Sequence, residues 1–426
     1  MAQDLPTELI ELIFTNVSPS DNVTCAAVSQ TNKLGYRAIT PLWYQTVGIS
    51  EEHLRHQHRQ RKLHLLVRTL FENPRLAGYA RTIRQDLYSG MGSILPYEEY
   101  GSDIPLEAFD QKLRIGLGLR TASGIGRFLC ELVESEQLCN AWHFFVLMVI
   151  CPNAEGMILT GDNSEMRSYN LFKDLVYAAQ NAVRPCGLQK VSFVHLSHTF
   201  SDGVANIQDV LPLLRLPQLA ELKVDSMGKC LYPAALLGYA LQDDIRSKVE
   251  SLSFLDFAST EDELVIVLAS CTSLRALAVK WSETTATLDT FTFLCDRLLS
   301  SAKKLQFLRL ECNAASQEDV RSRVVDAQID ERSQRNCNFQ PIDTVQHLHN
   351  LKHLVITKNL LFGTTIYKRT DLAEVLPSSL EKLSLLSPDG ILTERDKVLL
   401  ASEELKGLNV EVVDGSTLSA GCDIWA

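Results

Sequence analysis

Four histidines stand close enough in this sequence to suggest a metal site. His53, His56, His58 and His64 fall within one polar run, EEHLRHQHRQRKLH. Zinc takes three or four ligands converging on a tetrahedron, and no cysteine or carboxylate cluster completes such a set here. The run reads instead as a solvated linker or helix face. It is locally basic, with eight Lys or Arg against three acids between Glu51 and Arg84. Gly116-x-Gly118 and Gly124-x-Gly126 are not a phosphate loop, because the G-x-G-x-x-G order and a following Gly-Lys-Ser/Thr are both absent. They read as turn or close-packing glycines. His143 sits in an apolar run, and His195, His347, His349 and His353 lie on or beside apolar strands. Cys312 and Cys337 flank a charged insertion, with nothing in the sequence to pair either with a base. No H-E-x-x-H and no G-x-S-x-G elbow appears. The expectation is a chain with no catalytic residue, no metal and no cofactor.

Composition narrows the class. Apolar residues at 46% and charged residues at 22% are ordinary for a folded domain. The net charge of −11 lacks the basic footprint of a nucleic-acid binder. Eleven cysteines are scattered without a C-x-x-C pair, many in apolar runs such as Cys130, Cys151, Cys271 and Cys295. That pattern suits buried thiols in a reducing compartment. The first residues, Met-Ala-Gln-Asp, lack the basic start and apolar run of a secretion signal. The longest apolar run, Phe144 to Cys151, is far short of the ~20 residues that span a bilayer. The expected location is cytoplasmic or nuclear, with neither membrane nor nucleic acid as partner.

The elements that would position any function begin at the N-terminus. Pro6 and Thr7 start a helix carrying Leu9, Ile10, Leu12, Ile13, Phe14 and Val17. Those positions cover about 200° of its wall, against the ~100° a surface helix needs. Ser18-Pro19-Ser20-Asp21 breaks it and caps a second helix with Val23, Cys25, Ala26, Ala27 and Val28. A third spans about Thr31 to Ile39 and ends before Pro41. Three such helices cannot bury that wall among themselves, so another chain or the rest of this one must cover it. The order Leu5-Pro-x-Glu8-Leu9-Ile10-x-x-Ile13, Val17-Ser-Pro19-x-Asp21-x-Val23, Val28-Ser29, Leu34 and Leu42-Trp43 resembles an F-box. The resemblance covers about a tenth of the chain. It implies docking on the adaptor subunit of a cullin–RING ubiquitin ligase, with Leu5, Pro6, Leu9, Ile13, Val17, Val28, Leu34 and Leu42 as the adaptor-binding residues.

An amphipathic helix is expected from Lys62, stopped by Asn73-Pro74. A short strand is expected over Leu76–Ile83, a loop over 89–104 and an interrupted helix over Leu106–Cys139. From residue 154 a pattern recurs: apolar, two residues, apolar, one residue, apolar. It reads Ala154-x-x-Met157-x-Leu159, Leu188-x-x-Val191-x-Phe193, Leu219-x-x-Leu222-x-Val224, Val249-x-x-Leu252-x-Phe254 and Leu274-x-x-Leu277-x-Val279. Leu305-x-x-Leu308-x-Leu310, Leu351-x-x-Leu354-x-Ile356, Leu380-x-x-Leu383-x-Leu385 and Leu405-x-x-Leu408-x-Val410 follow. The last positions lie 25 to 46 residues apart. The alternating end of each triplet reads as a strand, and helix-like stretches such as Leu264–Ala269 and Phe291–Leu299 lie between. Each repeat has an apolar face it cannot bury alone, so repeats must stack. The pattern resembles a leucine-rich repeat. Asn313 and Asn359 complete the family's motif in two repeats, and the period is longer than its usual ~20–29 residues. Insertions are expected at 160–187 and 312–345.

The expected fold is α/β: an F-box over 1–50, a helical linker and first irregular repeat over 51–140, an irregular leucine-rich-repeat solenoid over 141–415 and a tail over 416–426. Its sheet would be curved and mostly parallel, with helices on the outer face. The combination is similar to F-box/leucine-rich-repeat substrate receptors, especially the irregular fungal kind. It implies a non-catalytic receptor that tethers a protein substrate to the ligase. The expected substrate face consists of strand positions pointing away from the core: Ser192, Lys223, Asp225, Ser253, Lys280, Arg309, Glu311, Thr357 and Ser384. The alternative is a leucine-rich-repeat interaction scaffold whose N-terminal helices are only a cap.

Overall fold

The computed structural model describes residues 27, 29–30, 33–49, 56–86, 95–96, 111, 137–138, 140–160, 173, 176, 179–180, 187–197, 205–228, 246–259, 261–281, 302–312, 345–362, 372, 374–387, 392, 394–401, 405 and 407–414. The chain divides into two compact bodies. The first comprises Met1–Val204 with Arg215–Leu219, and the second Ala205–Leu214 with Ala220–Ala426.

In the first body, α1 (Lys33–Trp43) leads into β1 (Thr46–Ile49), α2 (His56–Glu72), α3 (Pro74–Ala77) and β2 (Thr82–Asp86). A two-residue pair, β3 (Leu95–Pro96) and β4 (Gln137–Leu138), precedes α4 (Asn140–Ile150), β5 (Gly156–Thr160) and β6 (Phe193–Ser197). Strands β1, β2, β5 and β6 lie side by side in that order, each parallel to its neighbour. Leu63, Val67 and Leu70 of α2 recur at helical spacing and are buried. Helix α2 packs against α4 and β1, and α4 against β2; Phe144, Leu147 and Met148 of α4 and the sheet residues Ile83, Met157, Leu159, Val194 and Leu196 are buried as well.

Several expectations shift here. Helix α1 runs through Pro41 rather than stopping before it. Proline removes one backbone donor from the turn, and Thr40 Oγ donates to the Tyr36 carbonyl at 2.7 Å within it. Helix α2 begins at His56, six residues before Lys62, and ends where Asn73-Pro74 was expected to end it. Leu76 belongs to α3, so the strand starts only at Thr82. Gln137 and Leu138 are a strand, not the end of a helix, and they pair antiparallel with Leu95–Pro96 inside the expected loop. Apart from these and residue 111, the 106–139 stretch with its four glycines lies outside the described residues.

The second body begins with α5 (Ile207–Leu213), β7 (Glu221–Val224), β8 (Ser251–Phe257), α6 (Glu261–Ser270), β9 (Ala276–Trp281) and β10 (Phe307–Cys312). It continues with β11 (His353–Thr357), α7 (Lys358–Phe362), β12 (Lys382–Ser387), α8 (Glu394–Leu400) and β13 (Asn409–Asp414). Strands β7 to β13 lie in chain order, all parallel. Their alternation puts Leu222, Leu252, Leu277, Leu308, Leu354 and Leu383 in one buried row. Val224, Phe254, Val279, Leu310, Ile356 and Leu385 form a second, and all twelve are fully buried. Helix α6 covers the expected Leu264–Ala269, with Leu264, Val267 and Leu268 inward. The 291–299 stretch, Asn313 and the charged part of the 312–345 insertion lie outside the described residues. The expected turn asparagine at 359 falls in α7 instead.

One backbone device recurs throughout. The carbonyl of the residue just before a strand accepts two successive N–H groups from the entry to the next strand. Gln45 accepts from Arg81 and Thr82, Arg81 from Glu155 and Gly156, and Glu155 from Ser192 and Phe193. Ala220, Glu250, Arg275, Gln306 and Lys352 do the same in the second body, at 2.6–3.2 Å overall. Ahead of several strands the leading apolar residue closes a tight turn: Ala154, Leu305, Leu351 and Leu380 each donate to the carbonyl three residues back.

Gly48 shows how tight the stacking is. Its φ is +135°, and a Cβ there would sit 1.5 Å from the Arg84 carbonyl oxygen. Gly48→Ala should therefore push β1 off β2 and destabilise the first body by more than about 1 kcal/mol, read as a lowered urea midpoint.

His64 is fully buried on α2, its ring edge-on to that of buried His143 on α4 at 5.8 Å. Burial, with the Arg68 charge adding to it, lowers its pKa from 6.5 to about 4. The unfolded chain takes up this proton near pH 6.5 while the folded chain resists it. Stability should thus be full above pH 6.5, fall by on the order of 3 kcal/mol between pH 6.5 and 4, and level off below. Urea titrations across that range should show the slope, and His64→Leu should flatten it.

Candidate functional site

The second body carries every expected face residue except Ser192. Register alignment arranges its open face in rows across the strands. One row reads Lys223, Ser253, Ala278, Arg309, Val355, Ser384, Glu411. Two residues earlier along the strands lies Glu221, Ser251, Ala276, Phe307, His353, Lys382, Asn409. Two residues later, Lys280, Glu311 and Thr357 occupy β9, β10 and β11.

The charges on this face are paired on the face itself. Glu311 is only 3% exposed. It sits between Lys280 Nζ at 2.7 Å and Arg309 at 2.6 Å. Lys223 reaches Asp225 at 3.8 Å and Lys382 reaches Glu411 at 2.9 Å. Thr357 and Ser384 are also buried, so with Glu311 they shape the surface from beneath. Lys223, Asp225, Ser253, Lys280 and Arg309 are part-exposed and accessible to a ligand. Ser192 lies in the first body one residue before β6, where its hydroxyl donates to the Glu155 carbonyl at 3.3 Å.

A second group escaped sequence reasoning: Phe307, His353, Lys382 and Glu411. The Ser384 hydroxyl donates to Glu411 Oε1 at 2.5 Å and lies 2.9 Å from His353 Nε2. With its own proton committed to Glu411, Ser384 can only accept from the imidazole, which places the His353 proton on Nε2. The Phe307 ring stands edge-on to His353 at 5.1 Å. Burial and the Lys382 charge hold the His353 pKa below its ordinary value, against the pull of Glu411. Hydrogen bonds from Ser384 and Lys382 hold the Glu411 carboxyl below the usual glutamate value. A nucleophilic serine gives its proton to the histidine. Here the serine lies between base and acid, and the chain of bonds ties β11, β12 and β13 together.

Glu411 was missed because the ninth triplet was set two residues early. Leu383 pairs with Val410 and Leu385 with Val412, so the aligned triplet is Gly407-x-x-Val410-x-Val412. The triplet Leu405-x-x-Leu408-x-Val410 would put its outward residue, Asn409, in the row that Glu411 fills. The second triplet is likewise misplaced. Met157 pairs with Val194 and Leu159 with Leu196, giving Val191-x-x-Val194-x-Leu196, and Phe193 moves to the open face.

Of the expected adaptor residues, Leu5, Pro6, Leu9, Ile13, Val17 and Val28 lie outside the described residues. Leu34 and Leu42 belong to α1, and Leu42 is half-buried. Cys151 and Cys271 are buried, and burial pushes both thiols up to about 12, far from thiolate chemistry. Among the described residues no group of three or more His, Cys, Asp or Glu is placed to hold a metal ion. Among them, too, no helix is long and apolar enough to cross a membrane.

No protein-family model matches this sequence, and no curated protein matches it.

Glu311→Gln tests the central ion cluster. It would leave Lys280 and Arg309 without their shared counter-ion. The expected loss is about 2–3 kcal/mol, below the ~3–5 of a sealed pair because both cations reach water. Thermal melts of the two proteins give the difference.

Proposed function

We propose that this chain is the non-catalytic substrate-recognition subunit of an SCF-type (cullin–RING) E3 ubiquitin ligase. In this reading the F-box-like run docks on the adaptor through Leu5, Pro6, Leu9, Ile13, Val17, Val28, Leu34 and Leu42. The leucine-rich-repeat-like strands behind it hold a protein substrate, and the tether raises substrate concentration at the ubiquitin-carrying enzyme. The observation that carries the reading is the ladder of register-aligned, one-strand repeats following an N-terminal Leu-Pro-x-Glu-Leu-Ile-x-x-Ile run. Such a ladder presents a broad open face while its apolar side is sealed within the stack. A surface whose lysines and arginine already meet carboxylates on the same face suits a protein partner that brings its own hydrogen bonds and apolar contacts, more than a highly charged polymer.

A pull-down with purified adaptor tests the docking. The unaltered chain should retain the adaptor. Joint Leu5→Ala and Pro6→Ala substitution should weaken retention more than tenfold, as expected when buried interface side chains are cut back. Lys223→Ala together with Ser253→Ala should leave adaptor binding unchanged. Undiminished retention by the Leu5/Pro6 variant would overturn the assignment.

A further inference from the structure

A stack of strands ends in a strand with one partner. In this chain the strand order closes with β13, which pairs with β12 alone among the described strands. The Asn409 N–H donates to the Glu381 carbonyl at 3.1 Å. Residues 409, 411 and 413 therefore turn their backbone groups toward β12, and Val410 and Val412 turn theirs to the opposite edge. Asn-Val-Glu-Val-Val-Asp has no lysine, no proline and no bulge to guard that edge. A second observation falls on the same repeat. Three large apolar residues among those described are exposed, and two belong here: Val412 at 38% and Val398, on the helix leading into β13, at 71%.

Backbone donors and acceptors on an edge accept any strand, so side chains decide which one. The charges of β13 are Glu411 and Asp414; Lys382 and Ser384 already hold Glu411, and Asp414 stands at the last paired position, beyond the valines. The valine run itself calls for neither a basic nor an acidic partner. It calls for a strand with valine at alternating positions, and β13 is such a strand. We propose that two copies of this chain pair β13 to β13, antiparallel, about a two-fold axis through Val412. A two-fold normal to the sheet places opposite residues on the same face. Centring on Glu411 would set two carboxylates against each other, which is unfavourable. Centring on Val412 sets Val412 against its copy, Glu411 against Val413 and Val410 against Asp414. The contact is isologous, so it closes at two copies and does not grow into a fibre.

Sedimentation equilibrium on the full chain over the micromolar range should show a concentration-dependent dimer. Val412→Pro should render it monomeric with an unchanged circular dichroism spectrum, because the Val412 N–H takes no part in the β12 ladder. If that variant loses its spectrum, Val412→Lys keeps the N–H and should give the same monomer. The opposed Val412 residues form a hydrogen-bonded pair with Cα atoms about 5.5 Å apart, within disulfide reach. Val412→Cys should thus give a band of doubled mass on a non-reducing gel after mild oxidation, above whatever the eleven native cysteines give. An unaltered chain that stays monomeric overturns the proposal, whether its edge is left open or is taken by residues 415–426. So does a dimer that survives both Val412 substitutions without a Val412→Cys cross-link.

Discussion

At eight joints between neighbouring strands, one backbone carbonyl shared between two successive N–H groups ties a repeat to the next. It sits just before a strand, and its two donors come from the first residues of the following strand. Fixing both donors on one oxygen fixes where the next strand starts, and with it the register of the pair. Register then decides which side chains enter the core. A slip of one residue would turn Leu308 and Leu310 out and Arg309 in, a change the interior cannot accept. Because the bond is made by the main chain, the side chain at that position is free to vary. Gln45, Arg81, Glu155, Ala220, Glu250, Arg275, Gln306 and Lys352 share no chemistry, only a place.

The repeats were legible where apolar residues filled all three triplet positions. Seven of the nine triplets align with the observed strands, because Leu, Val, Ile and Phe at alternating positions leave one register that buries them. The errors have physical causes. Phe193 is as apolar as the core residues beside it, and nothing in one sequence says it faces outward. Leu405 and Leu408 are good core residues by type, yet the strand enters two residues later, past Gly407 with its φ of +105°. Two earlier strands escape the triplet pattern: Ala80-x-x-Ile83 ends on polar Gln85, within the 51–140 stretch expected to hold a first irregular repeat, and Tyr44-x-x-Val47 falls inside the 1–50 segment read as an F-box. Proline 41 was expected to end a helix, but near a C-terminus it forfeits a single bond and the turn holds.

The open face was legible in kind and not in detail. Alternation marked Lys223, Ser253, Arg309 and Ser384 as outward residues, and they do share one row. Sequence could not foresee that Ser384 lies beneath its neighbours, or that Glu311 gathers two cations from two strands. The burial of Ser384 and the Lys280–Glu311 contact depend on distances across neighbouring strands, whereas Arg309 reaches Glu311 from two residues away on the same strand. His353 was read as a solitary histidine beside a strand. Its partners, Ser384 and Glu411, come from the two following repeats, and only register brings the three together.

Because each joint engages nearest neighbours alone, the ladder has no keystone. A whole turn can be spliced in or removed between two joints without recasting the others, whereas a frame-breaking insertion inside a strand cannot be absorbed. The uneven lengths between successive strands show how freely the connections can differ while the joints keep one form. The open face can therefore be lengthened or shortened in whole steps, as a ruler is cut at its marks.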